Sequence, residues 1–299
     1  MQQAVRRVLT ARGGGRRRDS CHGLLALALA AAGCGAPPPL VAETVAVPER
    51  RFAVGNEARH DLFAPILAGR GGGFVCVGGD HCYTLLALAE ADWAVLLDHD
   101  PRVVALHHEL GRRVADDASA LLAGLDTPPA DPELAARWQQ ICEHLRRVAG
   151  RESTWLGDPS LYTRVRSRWQ AGAVIPLLGD LAGDIALSSI AANARARGIE
   201  FTAVYLSNAE ETITDRGRLR RNLAALPRSP DGVLLRTFFL PDWPAADGLW
   251  SYQIHTFERY LARAGDPPAE LAVIVADARA RGELHVDPAE PALSTIARP

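Results

Sequence analysis

The sequence predicts an α/β chain, a three-layer α/β/α fold around a doubly wound, mainly parallel sheet. Three observations predict it. Short apolar runs recur along the chain, as strands buried on both faces require. Amphipathic stretches alternate with them. Glycine or an acid closes most of the runs, as turns at strand ends do. The composition agrees. The chain has 299 residues, 48% hydrophobic and 23% charged, which excludes collagen, coiled coil and wholesale disorder. A net charge of −2 offers no basic field for nucleic acid. All 33 basic residues are arginine, which excludes Schiff-base lysines and the phosphate-binding lysine of a P-loop.

The elements follow in order. Gly71-Gly72-Gly73 precedes the buried strand Phe74-Val-Cys-Val77, and Gly78-Gly79-Asp80 turns the chain into a helix from Tyr83 to Ala91. Trp93 to Leu97 is a second strand ending at Asp98, with Pro101 in the first turn of the next helix, where its missing N–H is harmless. Residues 112–170 interrupt the rhythm and read as a helical insertion, with helices near 133–149 and 159–170. Alternation resumes with a strand from Ala173 to Leu178 ending in Gly179-Asp180, then a helix from Ile185 to Ala196. A strand from Phe201 to Leu206 ends in Ser207-Asn208, and a helix from Arg216 to Leu226 leads to a strand from Gly232 to Phe239. Helices are expected at 251–264 and 268–280, then a proline-containing tail. Right-handed crossovers make this a Rossmann-like sheet ordered 3-2-1-4-5. The domain spans 51–265, and 266–299 reads as a C-terminal helix and tail.

The first segment reads as an address. Six arginines precede Asp19, the run Leu24 to Ala32 is apolar, and Ala31-Ala32-Gly33-Cys34 resembles a bacterial lipobox. Residues 1–33 are therefore expected to be a lipoprotein signal peptide, with Cys34 lipidated and 34–50 a tether without burial pattern. The expected location is the bacterial cell envelope, with the membrane as partner through the lipid. A cytoplasmic location remains if the start codon lies further downstream. Cys76, Cys82 and Cys142 show no disulfide framework, and Cys76 reads as a packed thiol. Asp98-His99-Asp100 and His107-His108 have no recognisable ligand spacing, so no metal is expected. His60, His81 and His255 read as isolated surface residues, while Trp243, Trp250 and Tyr252 read as core.

Ligands of such sheets bind outside the carboxyl ends of the strands. The candidates there are Gly78, Gly79 and Asp80, then Asp98 and Asp100, Gly179 and Asp180, and Ser207 and Asn208. Gly78 and Asp98 are 20 residues apart, the spacing of a glycine turn and a ribose-binding acid. Other readings stand beside these. Asp80, Asp100 and Asn208 also suit helix N-caps, and the two glycines suit a tight turn.

Phe74-Val-Cys-Val-Gly78, Asp98-His-Asp-Pro101, Leu178-Gly-Asp-Leu181 and Tyr205-Leu-Ser-Asn208 resemble the four strand-end motifs of class I S-adenosylmethionine-dependent methyltransferases. The likeness covers roughly 70–111 and 172–240. A closer likeness is to an uncharacterised bacterial family of methyltransferase-like proteins. It rests on Asn56-Glu57, Val77-Gly78, the run ending at Asp180, Leu181-Ala-Gly183, Ser207-Asn208-x-Glu210 and Asn222 to Pro227. The resemblance implies S-adenosylmethionine as cofactor, held by Gly78, Gly79, Asp98, Gly179 and Asp180. It implies Asn208, Tyr205 and Glu210 as the residues facing a methyl acceptor. The chain departs from the superfamily at Cys76, where an acid is usual, and at Gly79-Asp80, where glycines alternate. The alternative is a non-catalytic envelope lipoprotein that keeps the fold and binds another small molecule or partner. A nicotinamide-dependent oxidoreductase is disfavoured, because Asp80 stands where a pyrophosphate would rest.

Overall fold

The computed structural model describes residues 36–45, 54–241, 243–263 and 271–297. The expected signal peptide and Cys34 lie outside the described residues. Residues 54–297 build one eight-stranded sheet in the order β3-β2-β1-β4-β5-β6-β8-β7. The first five strands are β1 (Gly73–Val77), β2 (Trp93–Asp98), β3 (Val174–Leu178), β4 (Phe201–Tyr205) and β5 (Arg228–Phe238). They pair in parallel throughout, in the order expected. The fold is thus the mainly parallel, Rossmann-like three-layer arrangement.

The far edge departs from the sequence reading. Ser251–Thr256 was expected to be helical and is instead β6, antiparallel to β5. Its burial explains the difference: Tyr252 and Ile254 enter one core while Gln253 and His255 are fully buried on the other side. An alternating, doubly buried stretch suits a strand better than a helix. The expected tail likewise joins the sheet through β7 (Leu284–Val286) and β8 (Leu293–Ile296).

Alternate strand residues feed two cores, the period-two signature of a sheet covered on both faces. Phe74, Cys76, Ala94, Leu96, Ala203 and Tyr205 face one core. Val75, Val77, Val95, Leu97, Val204 and Leu206 face the other. Eleven helices are described: α1 (Ala64–Leu67), α2 (His81–Leu88), α3 (Pro101–Arg113), α4 (Ala118–Ala123), α5 (Pro132–Ala135), α6 (Trp138–Ala149), α7 (Pro159–Gln170), α8 (Ala186–Arg197), α9 (Arg216–Ala225), α10 (Phe257–Arg263) and α11 (Leu271–Ala280). Helices α1 to α7 supply the first core, including the inserted helices α4 to α7, whose Trp138, Ile141, Leu145 and Leu161 are buried in it. Helices α8, α9 and α10 cover the other face.

Local chemistry starts five of these helices. Asp100, Asp117, Asp131, Asp158 and Asp215 each cap a helix by accepting a backbone N–H with their side chains, a bond worth about 1 kcal/mol at such a position. Asp100 with Pro101 is the cap the sequence suggested. Helix α8 has no cap of its own: Ile185 stands at its start and its side chain cannot accept a hydrogen bond. Glu43 does so from a distance. Its carboxylate accepts the N–H groups of Asp184, Ile185 and Ala186 at 2.6, 3.1 and 3.3 Å. Its own N–H donates to the Leu178 carbonyl.

Residues 37–45 are therefore docked, contrary to the tether expected across 34–50. The Val41 N–H donates to Ser189 Oγ, Asn193 donates to the Pro38 carbonyl, and Leu40 packs on the second core. Gly183 permits this approach, since a β-carbon there would lie 2.2 Å from the Glu43 carboxylate. Replacing Glu43 by Ala should cost about 1 kcal/mol in chemical denaturation and speed amide exchange at Asp184, Ile185 and Ala186. Exchange equal to that of the wild type would mean the strap does not cap α8.

Candidate functional site

The glycine turn after β1 is real. Gly78 has φ +104°, a conformation open to glycine and costly for other residues. Its surroundings are not those of an open phosphate or cofactor cradle. The Val77 carbonyl accepts from His81 Nε2 at 3.2 Å. The Gly78 carbonyl accepts from His107 Nε2 at 2.8 Å. That bond fixes the His107 tautomer, so Nδ1 accepts from the Tyr83 hydroxyl at 2.8 Å. Asp80 stands at the N-cap position of α2 but makes no capping bond. Its buried carboxylate instead contacts His144 Nε2 at 2.8 Å and accepts from Trp155 Nε1 at 3.4 Å. Burial pushes this carboxyl up, but the His144 charge and hydrogen bond outweigh it and hold the group at about 2.

Cys76 and Cys82 form a disulfide across the same turn, with Cα atoms 5.8 Å apart. The packed thiol expected at Cys76 is therefore corrected. The spacing carried no recognisable framework because the pairing follows from the turn, which brings the end of β1 back against the first turn of α2. Cys142 is a free, buried thiol.

The ends of β2 and β3 lie side by side, since the Gly179 N–H donates to the Asp98 carbonyl at 2.9 Å. The Asp98 carboxylate accepts the Asp100 N–H at 2.8 Å, and burial, its dominant influence, raises its pKa. Asp100 is scaffold: it caps α3 and grips the Arg102 guanidinium, both side chains buried. Asp180 accepts the Ala182 N–H at 2.8 Å. Gly179 serves packing, as a β-carbon there would lie 2.2 Å from that of Ala186. Asn222 donates to the Leu181 and Gly183 carbonyls at 2.9 and 2.7 Å, which fastens the loop after β3.

A second polar cluster lies at the ends of β1, β4 and β5, and the sequence reading did not assemble it. Glu57 accepts hydrogen bonds from the hydroxyls of Ser207 and Thr237. Ser207 has φ +54°, a left-handed backbone that costs energy for a residue with a side chain. His60 and His81, expected at the surface, are buried and stack with centroids 4.6 Å apart. Tyr205 closes the group edge-on, its hydroxyl 3.0 Å from His60 Nε2. Burial drives Tyr205 well above the ordinary phenol range. Glu57 is pushed up by burial, yet the nearby His60 and His81 bring it to about 2. Burial, followed by the neighbouring His60, lowers His81 to about 4, so it keeps a lone pair at neutral pH. Tyr252 braces the segment by accepting the N–H groups of Ala58 and Arg59 and donating to Asp247. A cleft opens beside this cluster, lined by Glu57, His60, Asp80, His81, His144 and Arg151 among others.

The structure places two of the three residues expected to face an acceptor on one cleft and the third elsewhere. Tyr205 belongs to the buried cluster. Glu210 pairs with the buried Arg236 at 2.8 Å and accepts from Tyr260 at 2.7 Å. Arg236 also donates to Gln253, which contacts His255. His255 is thus buried in a network rather than exposed. Asn208 precedes a 3-10 turn without capping it and, with Glu210, lines a second cleft.

The cofactor implied by the resemblance is only half provided for. Asp98 and Asp180 offer acceptors for a ribose and an amine-bearing base. At the glycine turn, where the amino-acid end would lie, Cys76 is in a disulfide, both turn carbonyls are taken by histidines, and Asp80 is committed to His144 and Trp155. The residues present do not fit the whole of S-adenosylmethionine.

The fold and this strand-end site define a Rossmann-like α/β protein with a closed glycine turn. The chain belongs to the family described as Domain of unknown function (DUF7790), whose model matches residues 52–123 and 124–295. No curated protein matches it by sequence. Among solved structures it is similar to the crystal structure of the glycopeptide N-methyltransferase MtfA in complex with S-adenosyl-L-homocysteine. The identity is 12% and the TM-score 0.27, over 63% of this chain and 62% of that one. The chain thus spans less than two thirds of that structure, and so distant a likeness carries no weight for function.

His107 is fully buried, and burial lowers its pKa to about 4, against 6.5 for an ordinary histidine. A base depressed on folding stabilises the protein fully above the unfolded value, and that stability is lost as pH falls from 6.5 toward 4. Unfolding free energy measured between pH 7 and 4 should therefore fall. In His107→Gln the fall should be shallower by up to one proton. An unchanged slope would show that His107 does not titrate in this way.

Proposed function

We propose that this protein is an envelope lipoprotein that keeps a methyltransferase-like scaffold and binds a small molecule other than S-adenosylmethionine in the cleft beside Glu57, His60 and His81. One observation carries the reading: a buried polar cluster borders an open cleft at the strand ends, while the neighbouring glycine turn is closed by side chains packed around it. Buried polar groups cost free energy unless satisfied, and concave sites with a few convergent polar groups are where small ligands bind. The disulfide supports an oxidising compartment, where such bonds persist. With the lipobox-like Ala31 to Cys34, it favours export and a lipid on Cys34.

A second reading, a methyltransferase of unknown acceptor, is favoured by Asp98 and Asp180 at the ends of neighbouring strands. Titration calorimetry of the full-length chain with S-adenosylmethionine, S-adenosylhomocysteine and NAD separates the two. No heat at millimolar ligand is expected. Micromolar binding of the adenosyl ligands, weakened about 10- to 150-fold by Asp98→Ala, would establish the second reading instead. Native mass spectrometry of the chain purified from its membrane fraction should reveal a co-purifying small molecule.

The anchor is tested by metabolic labelling with a palmitate analogue. The wild type should be labelled and Cys34→Ala should not. Absence of label from both would remove the lipid anchor from the proposal.

A further inference from the structure

Glu57, His60 and His81 come from two separate segments, a loop before β1 and the first turn of α2, so no ligand spacing marks them in the sequence. In the fold, one donor atom from each lies within 4.8 Å of the other two, and all three residues are buried. Glu57 Oε2 is 3.7 Å from His60 Nε2.

Three features mark these groups as more than packed polar side chains. The first is the state of His81. Its Nε2–H donates to the Val77 carbonyl, which leaves the lone pair on Nδ1. That atom is buried and has no hydrogen-bond partner, although the residue is only 8% exposed. A histidine whose second nitrogen donates to a backbone carbonyl is oriented as metal-bound imidazoles are.

The second is the space in front of that lone pair. Gly55 borders it, and a β-carbon there would lie 2.7 Å from His81 Nδ1 and 3.9 Å from a Glu57 carboxylate oxygen. The absent side chain leaves room beside both donors. The third is the division of labour on Glu57. Ser207 and Thr237 both donate to Oε1, which holds the carboxylate and turns Oε2 toward the histidines.

We propose that Glu57, His60 and His81 form a three-ligand site for a divalent transition-metal ion, open on its remaining side to the cleft. Two imidazoles and one carboxylate are a donor set suited to zinc or iron, whose bonds to nitrogen and oxygen are about 2.0–2.2 Å. Three protein ligands with a free position are the arrangement of a site that presents a metal to solvent or substrate. Binding replaces the hydrogen bond between His60 and Tyr205. The neighbouring group Cys76, His81 and Cys82 also lies within ligand distance, but its sulfurs are joined to each other. The metal site goes beyond the small-molecule reading and stands or falls separately, because it is tested with the metal alone.

The probe is Co²⁺ added to the full-length chain after chelator treatment, followed by visible d–d absorption and displacement by Zn²⁺. One Co²⁺ per chain is expected, displaced by one Zn²⁺. His60→Ala and His81→Ala should each weaken binding by at least about 100-fold, since loss of a supporting partner alone costs 10- to 100-fold. The exposed His285→Ala should bind as the wild type does. X-ray absorption of the wild-type zinc adduct reads the ligands even if the variants fail to fold, and should show imidazole nitrogen and oxygen. Three results would overturn the site: no binding by the folded wild type at millimolar metal, wild-type affinity in both histidine variants, or sulfur in the zinc shell.

Discussion

The Glu57 carboxylate draws the strand ends of this fold together. It comes from a loop ahead of the sheet, yet its hydrogen-bond donors come from the end of β4 and from β5. A carboxylate this deeply buried is tolerable only where donors replace the water it has lost. Ser207 meets that demand from a left-handed backbone. The bend lets the chain leave β4 while its hydroxyl turns back to the acid. The same contact seats His60 against His81, and His81 against the glycine turn. Loop, strand ends and turn are thus one polar unit rather than three neighbouring pieces.

That unit also accounts for the closed turn. The inserted helices bring His144 and Trp155 onto Asp80, while α3 brings His107 onto the Gly78 carbonyl. A strand-to-helix turn in a doubly wound sheet ordinarily offers its backbone to a ligand. Here side chains from three directions take those positions, and a disulfide ties the turn's two ends. What remains open lies to one side, where the cleft meets the stacked histidines. This opening lies to one side of the place where ligands of such a fold ordinarily bind.

Much of the fold was legible in the sequence. The five parallel strands and their order follow from apolar runs and intervening helices, and the Asp100-Pro101 helix start is local chemistry. What failed was long-range. The stretch 251–256 has no helical or strand signal strong enough to decide alone, and its partner across the sheet made it β6. Residues 37–45 show no helix or strand period, and the key contact that docks them is long-range, a glutamate reaching a helix that lacks a cap of its own. The stacked histidines were unreadable because a lone histidine carries no spacing. Yet two fragments of the family likeness, Asn56-Glu57 and Ser207-Asn208, turn out to meet through the bond between Ser207 and Glu57. A polar pair shared by two distant motifs was the available signal.

The two rims of the sheet have a consequence for how this protein behaves at high concentration. β3 lies at one rim and contains Pro176, which has no N–H to donate. The strap already takes the Leu178 carbonyl there. β7 lies at the other rim and is three residues long. Short or proline-bearing outer strands are how sheets avoid templating a further chain. Neither rim presents a long run of unpaired backbone groups among the described residues, so crowding should not drive these molecules into strand-exchanged aggregates through an exposed sheet edge.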